Sequence, residues 1–137
     1  MCGISGELSR SGERPGAGTA LAMRDSLAHR GPDDAGLYQD ALAALGSRRL
    51  SILDPSPAGH MPMTDEASGL VLVLNGEIYN FKELRRDLEA QGERFRSGGD
   101  TEVLLKLLAR EGRAALGKLR GMFAFACWNP RRRLLLL

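Results

Sequence analysis

Leu70-Val71-Leu72-Val73-Leu74-Asn75-Gly76-Glu77-Ile78-Tyr79-Asn80 is the stretch on which the fold turns. Residues 70–74 are continuously apolar instead of alternating, which suits a strand buried on both faces. Asn75-Gly76 directly after it is a strong turn signal. Asn80 then stands as an N-cap with Glu83 three residues on, close to capping-box spacing. Phe81, Leu84 and Leu88 follow on one helical face, and Gly92 stops the helix. A second helix is predicted from Asp100, with Val103, Leu104, Leu107 and Leu108 on one side and its end at Gly112.

Working outward, residues 2–8 read as a short strand and residues 10–18 as a loop. Residues 20–28 read as a helix, with Ala20, Met23 and Leu27 as its core face. His29-Arg30-Gly31-Pro32 breaks that helix, because Gly-Pro cannot continue it. Residues 36–39 and 43–50 are strands about a short turn, and a Pro- and Gly-rich loop runs from Asp54 to about Asp65. Beyond the two helices, residues 114–119 are helical, and residues 122–128 and 133–137 form a hairpin about Asn129-Pro130. This order of strand, helix, strands, helices, strands predicts a layered α+β domain. The last strand stops on four bare leucines, an apolar end that invites aggregation. The expectation is therefore a C-terminally truncated domain, with a true end buried against a partner as the alternative.

The 137 residues are one domain's worth of chain. Nineteen Lys and Arg against seventeen Asp and Glu leave +2, too little to argue for nucleic acid. No apolar run is long enough to span a membrane, and no secretion signal opens the chain. The two cysteines, Cys2 and Cys127, lack metal-type spacing, so neither a disulfide framework nor a zinc site is expected. A cytoplasmic location is the default.

Cys2 carries the sharpest chemistry. With Met1 removed, one residue holds both a thiol and a free α-amine. That amine titrates near pH ~8, so it can take the thiol proton without a separate His or Asp. The competing reading is a small residue at a frayed terminus. His29 and His60 invite a Cys–His dyad, but each reads better as a loop hydrogen-bonder.

Three further segments pair a chemical reading with a bland one. Arg49 ends a strand, where an Arg can fork onto a carboxylate or merely face solvent. Asn75 and Gly76 can point an amide and an N–H at a developing oxyanion, or make a hairpin turn. Asp100, at a helix start, can bind an ammonium or serve as an N-cap.

Met1-Cys2-Gly3-Ile4, His29-Arg30-Gly31-Pro32-Asp33, Arg49-Leu50-Ser51-Ile52, Asn75-Gly76-Glu77-Ile78-Tyr79-Asn80, Asp100-Thr101-Glu102 and Gly121-Met122-Phe123-Ala124-Phe125-Ala126 occur in that order. Together they resemble the glutaminase domain of glutamine-hydrolysing asparagine synthetases, class II amidotransferases of the N-terminal-nucleophile type. The resemblance runs through nearly the whole chain. The His-Arg-Gly-Pro-Asp and Asn-Gly-Glu-Ile-Tyr-Asn versions favour this family over the related phosphoribosyl-pyrophosphate and glucosamine-phosphate enzymes. The chain has Met61 where the family commonly has Gln, and Ser47 where it often has His. Neither position is given a role.

The resemblance implies an αββα four-layer sandwich, incomplete at the C-terminus, with the synthetase domain absent. It makes Cys2 the nucleophile and its α-amine the base. Asn75 and Gly76 would form the oxyanion hole. Arg49 would hold the α-carboxylate of L-glutamine, and Glu77 and Asp100 its ammonium. Leu50, Ile52 and Leu53 would line the pocket, and Arg30 and Gly31 would support Cys2. The implied reaction passes through a γ-glutamyl thioester to glutamate and ammonia. It needs no cofactor or metal in this domain; ATP and Mg belong to the missing domain, which makes asparagine from aspartate. Self-association into a homo-oligomer stays open. The alternatives are a truncated, non-catalytic relative that only binds or assembles, and a redox or metal protein built on Cys2 and Cys127, which the spacing does not favour.

Overall fold

The computed structural model describes residues 2–137. Met1, whose removal the resemblance calls for, lies outside them. The chain runs β1 (Gly3–Leu8), α1 (Ala17–Asp25), β2 (Asp34–Gln39), β3 (Ala43–Arg49), β4 (Met63–Thr64), β5 (Val71–Ile78), α2 (Phe81–Ala90), α3 (Asp100–Glu111), β6 (Gly121–Asn129) and β7 (Leu134–Leu136). Single 3₁₀ segments span Pro57–Gly59 and Gly112–Lys118.

The strands form two antiparallel sheets, one ordered β1-β3-β2 and one ordered β4-β5-β6-β7. β5 explains their stacking. Successive side chains on a strand point to opposite faces, and both faces of β5 are apolar. Val71 and Val73 pack with Ala43, Leu45, Ala126 and Trp128 between the sheets. Leu72, Leu74 and Ile78 pack on the other side with Leu84, Leu88, Val103, Leu104, Leu107 and Leu108 from α2 and α3. α1 covers the outer face of the first sheet. The result is the expected helix–sheet–sheet–helix sandwich.

Asp40 ties the two sheets together. Its carboxylate accepts the Leu42 and Ala43 N–H groups at 2.7 Å each, closing the β2–β3 turn. The same group accepts the Tyr38 hydroxyl at 2.9 Å and the Trp128 indole N–H, from the opposite sheet, at 2.6 Å. Burial, helped by Asp40, pushes the Tyr38 phenol up to about 12.

Local readings fail in three places. Asn75-Gly76 is no hairpin turn: β5 continues through it to Ile78, with Asn75 opposite Ala124 and Gly76 opposite Phe123. The ladder to β6 outweighs the local turn preference. Asn80 sits at the N-cap position of α2 but its side chain does not cap. It donates to the Lys118 carbonyl and accepts the Arg120 N–H, both at 2.9 Å. The first helix is Ala17–Asp25, so Leu27 lies past its end and only Ala20 is fully buried.

Candidate active site

The N-terminal segment and the Arg30 turn build the first side of the site. Arg30 donates through Nε to the Cys2 carbonyl at 3.1 Å. Gly31 lies against the backbone of Arg48 and Arg49, where a Cβ would come within 2.3 Å of the Arg48 carbonyl carbon. Asp33 accepts the Ser51 N–H at 2.8 Å and donates its own N–H to the Arg49 carbonyl at 3.0 Å. The His-Arg-Gly-Pro-Asp segment thus fixes both the Cys2 backbone and the chain after β3. Gly3 also has a packing reason: a Cβ there would meet the Leu27 Cβ at 2.7 Å.

Cys2 Sγ lies over the start of that chain and accepts the Leu50 N–H at 3.4 Å. Arg49, at the end of β3, is only 7% exposed. Its Nη2 donates to the Leu53 carbonyl at 2.9 Å and to the Asp54 carbonyl. Gly59 lies against the guanidinium, where a Cβ would come within 2.2 Å of Arg49 Nη2. The loop that follows β3 is therefore folded around its own arginine.

The second side comes from β5 and the start of α3. Gly76 has φ 136°, and a Cβ there would come within 2.1 Å of the Met122 carbonyl. Only glycine suits that conformation. Asn75 Oδ1 is buried without a hydrogen-bond partner among the described residues. Asp100 is 5% exposed, and its Oδ2 accepts the Ile78 N–H at 2.9 Å. Burial pushes its carboxyl above 3.8, opposed by backbone N–H groups and reinforced by the charge of Glu77. The cap position of α3 is Gly99, not Asp100. Glu102, on the first turn, reaches back past the Gly99 cap to the Ser97 N–H at 2.6 Å and hydroxyl at 2.7 Å, tying the preceding loop to α3.

These elements surround a cavity of about 170 Å³. Cys2, Arg49, Leu50, Ile52, Leu53, Gly76, Glu77 and Asp100 all line it, with Tyr79, Ser97, Gly99, Thr101 and Met122 beside them. Asn75, Arg30 and Gly31 stand outside the lining. Met61, given no role from sequence, is buried in the wall. Its thioether accepts the Leu74 N–H at 3.4 Å, on the edge of β5 beyond the short strand β4.

Three sequence candidates fall away from the cavity. His60 pairs with Asp34 at 2.8 Å, and neither it nor exposed His29 reaches the lining. Cys127 is buried in the helix-side core, and burial pushes its thiol up to about 11. No group of three or more His, Cys, Asp or Glu able to hold a metal occurs among the described residues. No helix among them is long and apolar enough to cross a membrane. The cavity thus offers one thiol, one cation and two carboxylates within a partly apolar wall, a set matched to a small zwitterion with a reactive carbonyl.

The chain is similar to known proteins. The family described as "Glutamine amidotransferase domain" matches residues 1–137. Asparagine synthetase [glutamine-hydrolyzing] 1 of Bacillus subtilis (strain 168) is 42% identical over 135 residues, covering 94% of this chain and 21% of the relative. Asparagine synthetase [glutamine-hydrolyzing] 1 of Arabidopsis thaliana is 37% identical over 132 residues, covering 96% of this chain and 22% of the relative. Among solved structures, glutamine phosphoribosylpyrophosphate amidotransferase from B. subtilis superimposes with TM-score 0.53 at 26% identity, over 66% of this chain and 22% of that one. The chain spans about a fifth of the length of these curated relatives.

Proposed function

The chain belongs to the glutamine amidotransferase domain family, and from that premise we propose that it hydrolyses the side-chain amide of L-glutamine at Cys2. The observation that carries this reading is the single cavity bounded by the Cys2 thiol, Arg49, Glu77 and Asp100. Glutamine presents an α-carboxylate, an α-ammonium and an amide carbonyl. Those groups answer one cation, two anions and one nucleophile.

In the proposed mechanism, Met1 is removed and the free α-amine of Cys2 takes the thiol proton. The thiolate attacks the amide carbon. The Gly76 N–H and the Asn75 side chain stabilise the resulting oxyanion. Collapse breaks the C–N bond, and ammonia leaves with the proton the amine had taken. Water then cleaves the γ-glutamyl thioester, giving glutamate and the free thiol. Arg49 holds the α-carboxylate, Glu77 and Asp100 hold the ammonium, and Leu50, Ile52 and Leu53 form the wall. Arg30 and Gly31 keep Cys2 in place.

The proposed hydrolysis needs no cofactor or metal in this domain. The relatives are named for hydrolysing glutamine and making asparagine; by the resemblance, the ammonia would feed an ATP- and Mg-dependent conversion of aspartate to asparagine in the rest of a longer protein. Two free thiols suit a reducing, cytoplasmic compartment.

Intact-mass measurement with a glutaminase assay tests the reading. Loss of Met1, glutamate release, its abolition by Cys2→Ala and labelling of Cys2 by a glutamine-like diazo ketone are expected. A retained Met1 with no glutamate formed would leave a binding or assembly module instead.

A further inference from the structure

Resting on that reading of the cavity, we infer that Asp54 is the positioning residue that sets the spacing between the carboxylate clamp at Arg49 and the ammonium clamp at Asp100. Asp54 does not line the cavity; it joins its two sides. Its backbone carbonyl accepts Arg49 Nη2. Its carboxylate Oδ2 accepts the Gly98 N–H at 2.6 Å, two residues before Asp100. Oδ1 accepts the Ser56 N–H at 3.1 Å and the Ser56 hydroxyl. One residue therefore grips the cation from behind with its backbone, and the loop that delivers the anion with its side chain.

Three features argue that this bridge is built. Asp54 adopts φ 51°, a left-handed conformation open to Asp, Asn and Gly but costly for most residues. The 2.6 Å bond to Gly98 has the length of a charge-assisted contact. The far loop has nothing bulky to interfere: a Cβ at Gly98 or Gly99 would only just touch the Asp54 side chain, at 3.8 Å. The Ser56 hydroxyl and the Gly98 N–H hold the Asp54 carboxyl below its usual value, with burial opposing and Arg49 adding to the effect. Arg85 and Glu102 also hold Ser97, but they anchor the loop to α2 and α3. Asp54 alone among these anchors belongs to the Arg49 side.

The consequence is specific. Glutamine engages both clamps at once, so its binding senses their separation. Glutaramate lacks the ammonium and 4-aminobutyramide lacks the carboxylate, so each engages one clamp and does not sense it.

The test uses the processed full chain, with Asp54→Gly and Asp54→Asn compared with wild type. Gly accepts the φ and deletes the carboxylate; Asn accepts the φ and keeps one acceptor. Loss of a well-aligned hydrogen bond to a charged group weakens binding by roughly 10- to 150-fold. For Asp54→Gly the glutamine KM should therefore rise roughly 30- to 100-fold, and for Asp54→Asn roughly 3- to 10-fold. The inhibition constants of glutaramate and 4-aminobutyramide should hold within about 3-fold in both variants. Unchanged glutamine KM in either variant overturns the inference, and so does equal weakening of all three compounds, which marks mere loosening of the loop. If Asp54→Gly does not fold, Asp54→Asn carries the same comparison alone. Wild type that neither binds nor hydrolyses glutamine removes the function itself and this inference with it. Active wild type with insensitive variants removes only the inference.

Discussion

The backbone N–H of Ile78 donates to the Asp100 carboxylate at 2.9 Å, so the last residue of β5 is bound by the first residue of α3. Asp100 is nearly inaccessible, and burial raises its pKa with Glu77 adding to the effect. Burial makes this anion costly to hold. In the proposed reading, the ammonium of glutamine supplies the opposite charge.

Replacing Asp100 by Asn should therefore separate stability from binding. Unfolded, the carboxyl ionises near 3.8; folded, it ionises higher. Between those values the native state holds more protons than the unfolded state, so stability falls as pH rises through the window. Above the window the cost is constant. The Asn variant lacks this fall and keeps an acceptor for Ile78. Thermal melts at neutral pH should show it as stable as wild type or more so, while added L-glutamine stabilises only wild type. A variant about 2 kcal/mol or more less stable at pH 7 would contradict the argument.

Arg49→Lys should fail despite keeping the charge. The guanidinium holds Leu53 and Asp54 carbonyls through one nitrogen while lining the cavity. An ammonium cannot do both with a planar fork. The loss expected is about 2–3 kcal/mol of glutamine affinity, roughly a 30- to 150-fold rise in KM. An unchanged KM would place the substrate carboxylate elsewhere.

Gly76→Ala and Gly117→Ala form a paired test of backbone demand. At Gly76 the φ of 136° and the Met122 carbonyl at 2.1 Å both oppose a Cβ. The expected loss is about 3 kcal/mol or more, read from the urea midpoint. At Gly117, in the 3₁₀ segment, a Cβ meets nothing within 4 Å. Ala there should be neutral or stabilising by about 0.5 kcal/mol. Equal effects at the two positions would refute the close approach of β5 and β6.

What could be read from the sequence follows the range of each interaction. The period-3.6 face of α3 and the hairpin of β6 and β7 depend on neighbours in the chain, and both were legible. Asn75-Gly76 looked like a turn because the partner that makes it a strand, Ala124 with Phe123, is far along the chain. Asn80 looked like a cap because its true partners, Lys118 and Arg120, are equally remote. The site shows the same division. Cys2 and Arg49 are each ambiguous alone and are singled out only by the set of motifs around them; both line the cavity. Asp54, Glu102 and Met61 are not singled out, since each acts through backbone groups that no local pattern reveals.

The two thiols should differ sharply in reactivity. Cys127 is buried in the helix-side core with its thiol pushed up to about 11. At pH 8 only about one part in a thousand of such a thiol is thiolate. Cys2 is half-buried and lines the cavity. One equivalent of iodoacetamide at pH 8 should therefore modify Cys2 alone, as peptide mass mapping would show. In Cys2→Ala, Cys127 should react only as the core opens, at a rate that climbs with denaturant. Rapid labelling of Cys127 in the native Cys2→Ala protein would mean that the sheet–helix core is not closed around it, and the burial argument for its inertness would fail.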